Sequence, residues 1–166
     1  SFEQEVIKLI ITKYLLIALI SMVPVVELRG AVPVGIGMGL HPLITIFVCI
    51  LGNMLPVPFI HIFARKFLTW GAKQKYIGKI CNFFVKKGEK ASKKLANKKG
   101  HYGIMIALML FVGIPLPGTG AWTGTLGASF LNLDLKTTTV SVVSGIIIAG
   151  IIMTTVSILG LHIFGL

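Results

Sequence analysis

Two oppositely charged residues, Glu27 and Arg29, sit inside the apolar stretch MVPVVELRGAVPVG. A carboxylate in such surroundings can accept a proton or a cation, and a guanidinium can hold an anion. A regular helix points positions i and i+2 apart, so the pair can meet directly only where the backbone is unwound. Pro24, Gly30 and Pro33 supply residues that break helices. Two readings stay open: the charges neutralise each other or pair with backbone and staple the chain, or Glu27 carries protons while Arg29 binds an anion. A second break, GIPLPGTGAWTG, carries no charge but offers Pro117, Gly118, Thr119, Gly120 and Trp122 together with backbone N–H groups released from helical pairing. Half-helices restarting after Gly30 and after Gly120 would direct their N-termini, each worth about half a positive charge, toward a common centre. The candidate binding residues are therefore Glu27, Arg29, Gly30, Pro33, Pro117, Gly118, Thr119, Gly120 and Trp122.

The elements that must position these residues are membrane helices. Of the 166 residues, 55% are hydrophobic and 13% charged, with a mean hydropathy of +0.91, against about 25% charged residues in soluble domains. Two segments, 43–64 and 137–164, are long and apolar enough to cross a hydrocarbon core about 30 Å thick. Pro56 and Pro58 should kink the first, and Asp134 stands where the second needs an N-cap. The stretches 6–40 and 102–133 are each broken near the middle. Irregular backbone is not tolerated against lipid, so each reads as a re-entrant helical hairpin. Gly30-Ala31 and Gly120-Ala121 align at an offset of 90, with Gly37 on Gly127. The expected fold is thus all-α and integral to the membrane, an inverted repeat of re-entrant hairpin plus transmembrane helix. Residues 1–64 form the first repeat, 65–101 a basic linker helix and 102–166 the second repeat.

The formal charge of +11 could suggest a nucleic-acid partner, but its distribution does not. Twelve of the sixteen Lys and Arg fall between Arg65 and Gly100 with one acid, Glu89, and the rest of the chain sums to zero. By the positive-inside rule the 65–101 segment is cytoplasmic and both termini lie on the outer face of a prokaryotic cytoplasmic membrane. Its aromatics interleaved with lysines suit an amphipathic helix on an anionic leaflet or a solvated topology signal. No signal peptide is recognisable at the N-terminus. Cys49 and Cys81 form no framework or CxxC pair, and His41, His61, His101 and His162 match no ligand spacing, so neither metal nor cofactor is expected. No nucleophile elbow, P-loop or GxGxxG is present, and an enzyme is not expected. Small residues at 31/35/39, 120/124/128 and 141/145/149 read as close-packing ladders, and Asn53 as a polar contact to a hairpin.

At Glu27-Leu28-Arg29-Gly30-Ala31-Val32-Pro33-Val34-Gly35 and Pro115-Leu116-Pro117-Gly118-Thr119-Gly120-Ala121-Trp122-Thr123-Gly124 the chain resembles the small multidrug export protein family, itself distantly similar to the DedA (SNARE-associated, or VTT) superfamily. The resemblance implies two re-entrant hairpins, each followed by a spanning helix. It also implies, through the DedA branch, proton-linked transport and flipping of undecaprenyl phosphate or other phospholipids. DedA proteins place arginines in or just after the second hairpin, where this chain has Lys136. The expected activity is that of a small transporter or flippase for an anionic lipid-phosphate or amphipathic molecule, working in the lipid bilayer as a homodimer. A cationic multidrug exporter, an uncoupled scramblase and a non-transporting scaffold are the alternatives.

Overall fold

The computed structural model describes residues 1–95 and 98–165, so residues 96 and 97 of the basic 65–101 segment and residue 166 lie outside the described chain. Among the described residues there are eight helices and no strand. They are α1 (Phe2–Met22), α2 (Glu27–Gly37), α3 (Pro42–Met54), α4 (Pro56–Gly71), α5 (Gly78–Leu95), α6 (Lys98–Gly113), α7 (Ala121–Phe130) and α8 (Leu135–Phe164). Two helical stretches, Pro42–Gly71 and Leu135–Ile163, are long and apolar enough to cross a membrane. The first continues past Ala64. Pro56 and Pro58 fall in the opening turn of α4, where a missing N–H costs little, and Leu55, at φ −55 and ψ −45, carries the helical backbone from α3 into α4.

The expected linker helix is not one helix. The chain leaves α4 at Gly71, turns through residues 72–77, runs as α5, and enters α6 at Lys98. The turn puts Gly71 directly against Cys81, where a Cβ would meet Sγ at 2.6 Å. Phe84 reaches across to Phe130 at the end of α7, ring centroids 5.1 Å apart.

Each break arises from its prolines. Val23 precedes Pro24, is driven out of the helical region to ψ 130, and ends α1. Val25 and Glu27 then adopt φ 76 and φ 50, and α2 begins at Glu27. The helix therefore restarts before Gly30 rather than after it, and Pro33 lies inside α2. Pro33 removes one helical bond, and burial of Leu28, Val32 and Ile36 holds α2 together across the gap. In the second break, Gly118 (φ 79) and Gly120 (φ 138) lead into α7.

The local geometry recurs along the chain with a shift of 93, not 90. The left-handed pair Val25/Glu27 corresponds to Gly118/Gly120 (118 − 25 and 120 − 27). The helix ends match as well. Met38 N–H donates to Val34 and Leu131 N–H to Gly127, while Leu40 N–H donates to Gly35 and Leu133 N–H to Ala128. Gly39 (φ 77) and Asn132 (φ 59) occupy the same left-handed cap. Matching Gly with Gly shifts the register by three, because Val25 and Glu27 occupy backbone conformations for which the other half uses glycine.

The core is built around α2, whose Leu28, Ala31, Val32 and Ile36 join Ile17, Cys49, Val142 and Ile146. Glycines permit close approach: a Cβ on Gly52 would lie 2.6 Å from the Ala18 carbonyl, and one on Gly145 would lie 2.7 Å from the Met109 carbonyl. Lys13 Nζ donates to the Met38 carbonyl at 3.4 Å, so α2 returns only as far as the middle of α1. Every residue from Ser1 to Thr12 is exposed.

Candidate functional site

The two breaks meet. Glu27 is 4% exposed, and its carboxylate sits on the N-terminus of α7: Ala121 N–H donates to Oε2 at 3.1 Å and Trp122 N–H to Oε1 at 2.9 Å. A carboxylate is favoured there because the first N–H groups of a helix have no internal partner and carry partial positive charge. The fit depends on Gly120, since a Cβ at that position would collide with the Glu27 carboxylate. A residue of the first half thus caps a helix of the second.

Arg29 performs the converse task at the C-terminal end of α6. Its Nη2 donates to the carbonyls of Val112 (3.3 Å) and Ile114 (3.2 Å) and to Thr119 Oγ1 (2.7 Å). Its Nη1 donates to the Thr119 carbonyl at 2.5 Å and to the Leu116 carbonyl. A planar guanidinium matches several carbonyls in a way a lysine ammonium cannot. Trp122 returns the contact, its Nε1–H donating to the Met22 carbonyl at the end of α1 at 3.0 Å. Glu27 and Arg29 therefore take their partners from residues 112–122, not from each other, and no unwinding of α2 is needed to bring them together.

The structure gathers Glu27, Arg29, Thr119, Gly120 and Trp122. Pro117 and Gly118 form the exposed turn between α6 and α7, with Gly118 supplying its positive φ. Gly30 lies in the first turn of α2, its missing Cβ facing Val26 of its own segment, and Pro33 is within α2 beyond the contact. The α7 terminus does not aim at an open centre, because the Glu27 carboxylate already occupies it. Asn53, expected to make a polar contact, is buried with its Oδ1 unpartnered among the described residues.

Beside this contact lies an open groove of about 530 Å³ between α4 and α7. Phe59, Phe63, Phe67, Trp122, Leu126 and Phe130 are among the apolar side chains that line it. Sequence reading did not anticipate it, since α4 and α7 are more than fifty positions apart and each phenylalanine alone is an ordinary lipid-facing residue. Arg65, counted in the sequence as a topology charge, instead holds the exit of α7, donating from Nη2 to the Leu133 carbonyl at 3.2 Å and to Asn132 Oδ1.

The chemistry available is a buried carboxylate that accepts one backbone hydrogen bond on each oxygen from the other half, charge-assisted bonds worth about 1.5–3 kcal/mol each. Among known proteins, the family model described as "Putative small multi-drug export protein" matches residues 27–152. No curated protein and no solved structure matches the chain.

Proposed function

Because the chain belongs to that small multi-drug export family, we propose that this membrane protein exports amphipathic molecules whose apolar part lies in the α4/α7 groove, with Glu27 coupling the movement to protons. The observation that carries this reading is the double role of Trp122. Its ring lines the groove, its amide donates to Glu27 and its indole N–H donates to Met22. A molecule in the groove and a proton on Glu27 act on the same residue. Ionised Glu27 holds α7 against α2, and protonation weakens that hold, which lets α7 shift against α2.

The surrounding architecture follows from the same premise. α2 and α7, with 11 and 10 residues, span about 16 and 15 Å, half of a hydrocarbon core. The breaks then lie near the midplane, α1–α2 and α6–α7 are hairpins re-entering from opposite faces, and the 93-residue repeat is inverted. The lysine-rich 65–101 segment faces the cytoplasm, with both termini outside the cytoplasmic membrane of a prokaryote. Two spans and two hairpins enclose little, so the working unit is a homodimer. The chain is a carrier and not an enzyme.

A second reading, flipping of a lipid-phosphate, is favoured by one feature. The groove lies open at the surface, and its Phe130 end continues into a pocket lined by Arg65, whose Nη1 is not among the groups that hold Leu133 and Asn132 and would meet a head group. Arg29 is less suited to a head group, since its Nη groups already meet carbonyls. Proteoliposomes separate these readings. Ethidium accumulation driven by an imposed pH gradient, abolished by Glu27→Gln and weakened by Phe63→Ala, supports proton-coupled export. Movement of phosphatidylglycerol with no ethidium transport would replace it with lipid flipping.

A further inference from the structure

The buried sides of α4, α7 and α8 carry polar groups that the Glu27 contact does not use. His61 on α4 is 2% exposed, and neither of its ring nitrogens has a partner. The hydroxyls of Thr125 on α7 and of Thr138 and Ser141 on α8 are buried and equally unpartnered. A protein interior rarely leaves such groups unpaired, each costing about 1–3 kcal/mol. The usual partner of such groups is buried water.

Their placement is ordered. Ser129 Oγ donates to the His61 carbonyl at 2.9 Å, and Arg65, one turn further along α4, reaches Leu133 at the exit of α7. The two helices therefore run side by side in the same direction. Helical side chains lean toward the N-terminus, which carries the His61 imidazole back from Ser129 toward the level of Thr125. One more turn along α7 is Ala121, whose N–H donates to Glu27 Oε2. Ser129, Thr125 and Ala121 thus mark steps of about 6 Å along one buried face. At the far end Ser129 lines a pocket of about 200 Å³ together with Arg65, Thr69, Glu89 and Asn132, at the basic end of the molecule.

We infer that this file of polar groups is the proton route to Glu27, with the His61 imidazole as its protonatable relay between the Glu89 pocket and the Glu27 carboxylate. The inference rests on the reading in which Glu27 takes up a proton. A hydronium ion in the pocket gives its proton to the Ser129 hydroxyl, which lines the pocket, and becomes water, while that hydroxyl passes its own proton on through water to an imidazole nitrogen. The other ring nitrogen then releases a proton through water and the Thr125 hydroxyl to the Glu27 carboxylate, and the imidazole returns to its neutral form. The charges acting on His61 are Arg65 on its own helix and Asp134 at the start of α8. From α5, Glu89 faces the pocket, and from α6, His101 lies 3.4 Å from Thr137 Oγ1. α7 contributes no ionisable side chain.

The test uses the full chain in vesicles loaded with pyranine, with ethidium as the transported probe. Glu27→Gln is measured first. If proton entry coupled to ethidium survives it, the coupling reading itself fails. If Glu27→Gln abolishes that entry, His61→Leu and the shape-preserving Thr125→Val should each slow it by about tenfold or more, while ethidium binding at fixed pH stays within about twofold. Wild-type rates in both variants would overturn the route and leave the role of Glu27 standing. Should His61→Leu not fold, Thr125→Val decides by the same criterion. The nitrogen resonances of the His61 ring in the wild type give an independent readout, and a ring that never titrates across the physiological range would also overturn the relay.

Discussion

At the scale of single residues, the first break is the more strained of the two. Val25 is β-branched, 90% exposed and held at φ 76, where its partner in the other half is Gly118. An L-residue in that region costs about 1–2 kcal/mol, so Val25→Gly should stabilise the detergent-purified protein by about 1 kcal/mol in thermal unfolding. Gly120→Ala is the opposite case. The position has φ 138 and its Cβ would displace the Glu27 carboxylate, so a loss of about 3 kcal/mol or more is expected. That loss should shrink when Glu27→Ala is combined with it, which a double-mutant cycle measures. Glu27 and Arg29 were legible in the sequence because charge at membrane depth is costly and must be compensated. Their partners were not, since those lie 83 to 95 positions away along the chain and, the Thr119 hydroxyl apart, are backbone atoms, which carry no residue signature.

At the scale of elements, helix starts and stops were partly legible. Asp134 caps α8, its Oδ2 accepting from Thr137 N–H at 2.9 Å. Hydrogen bonds from Thr137 hold its carboxyl below the usual carboxylate range. The folded value being the lower one, this stabilisation is full at neutral pH, persists above the unfolded pKa of about 3.9 and is lost as pH falls through the folded value. Amide hydrogen exchange in the first turn of α8 should therefore be flat from neutral pH down to about 4, beyond its intrinsic pH dependence, and protection should fall below that. Asp134→Ala should remove that protection at every pH, at a cost of about 1 kcal/mol. The start of α2 was less legible. Gly30 and Pro33 look like breakers, yet α2 runs through both because its Leu28, Val32 and Ile36 are buried against α1, α3 and α8, and tertiary burial outweighs local propensity.

At the scale of the whole molecule, the charge of +11 is confined to one stretch, which the proposed topology uses as its orientation signal. Tyr76, 92% exposed in the turn before α5, offers a place to read it. With Cys49 and Cys81 changed to Ser, Tyr76→Cys should react with a membrane-impermeant thiol reagent in inside-out vesicles and not in right-side-out ones. Replacing Lys73, Lys75, Lys79, Lys86 and Lys87 with Gln should give mixed labelling. Composition and neighbours a few positions apart were enough to specify apolar helices of membrane-spanning length, two proline-broken segments, one basic segment and the costly pair of charges. Tertiary packing set the rest: Glu27 caps α7, Arg29 binds the end of α6, the local backbone geometry recurs at a shift of 93, and phenylalanines from α4 and α7 face one groove. These are contacts between segments remote in sequence, selected by the packing of the two halves, and no local pattern encodes which distant backbone N–H or carbonyl a side chain will meet.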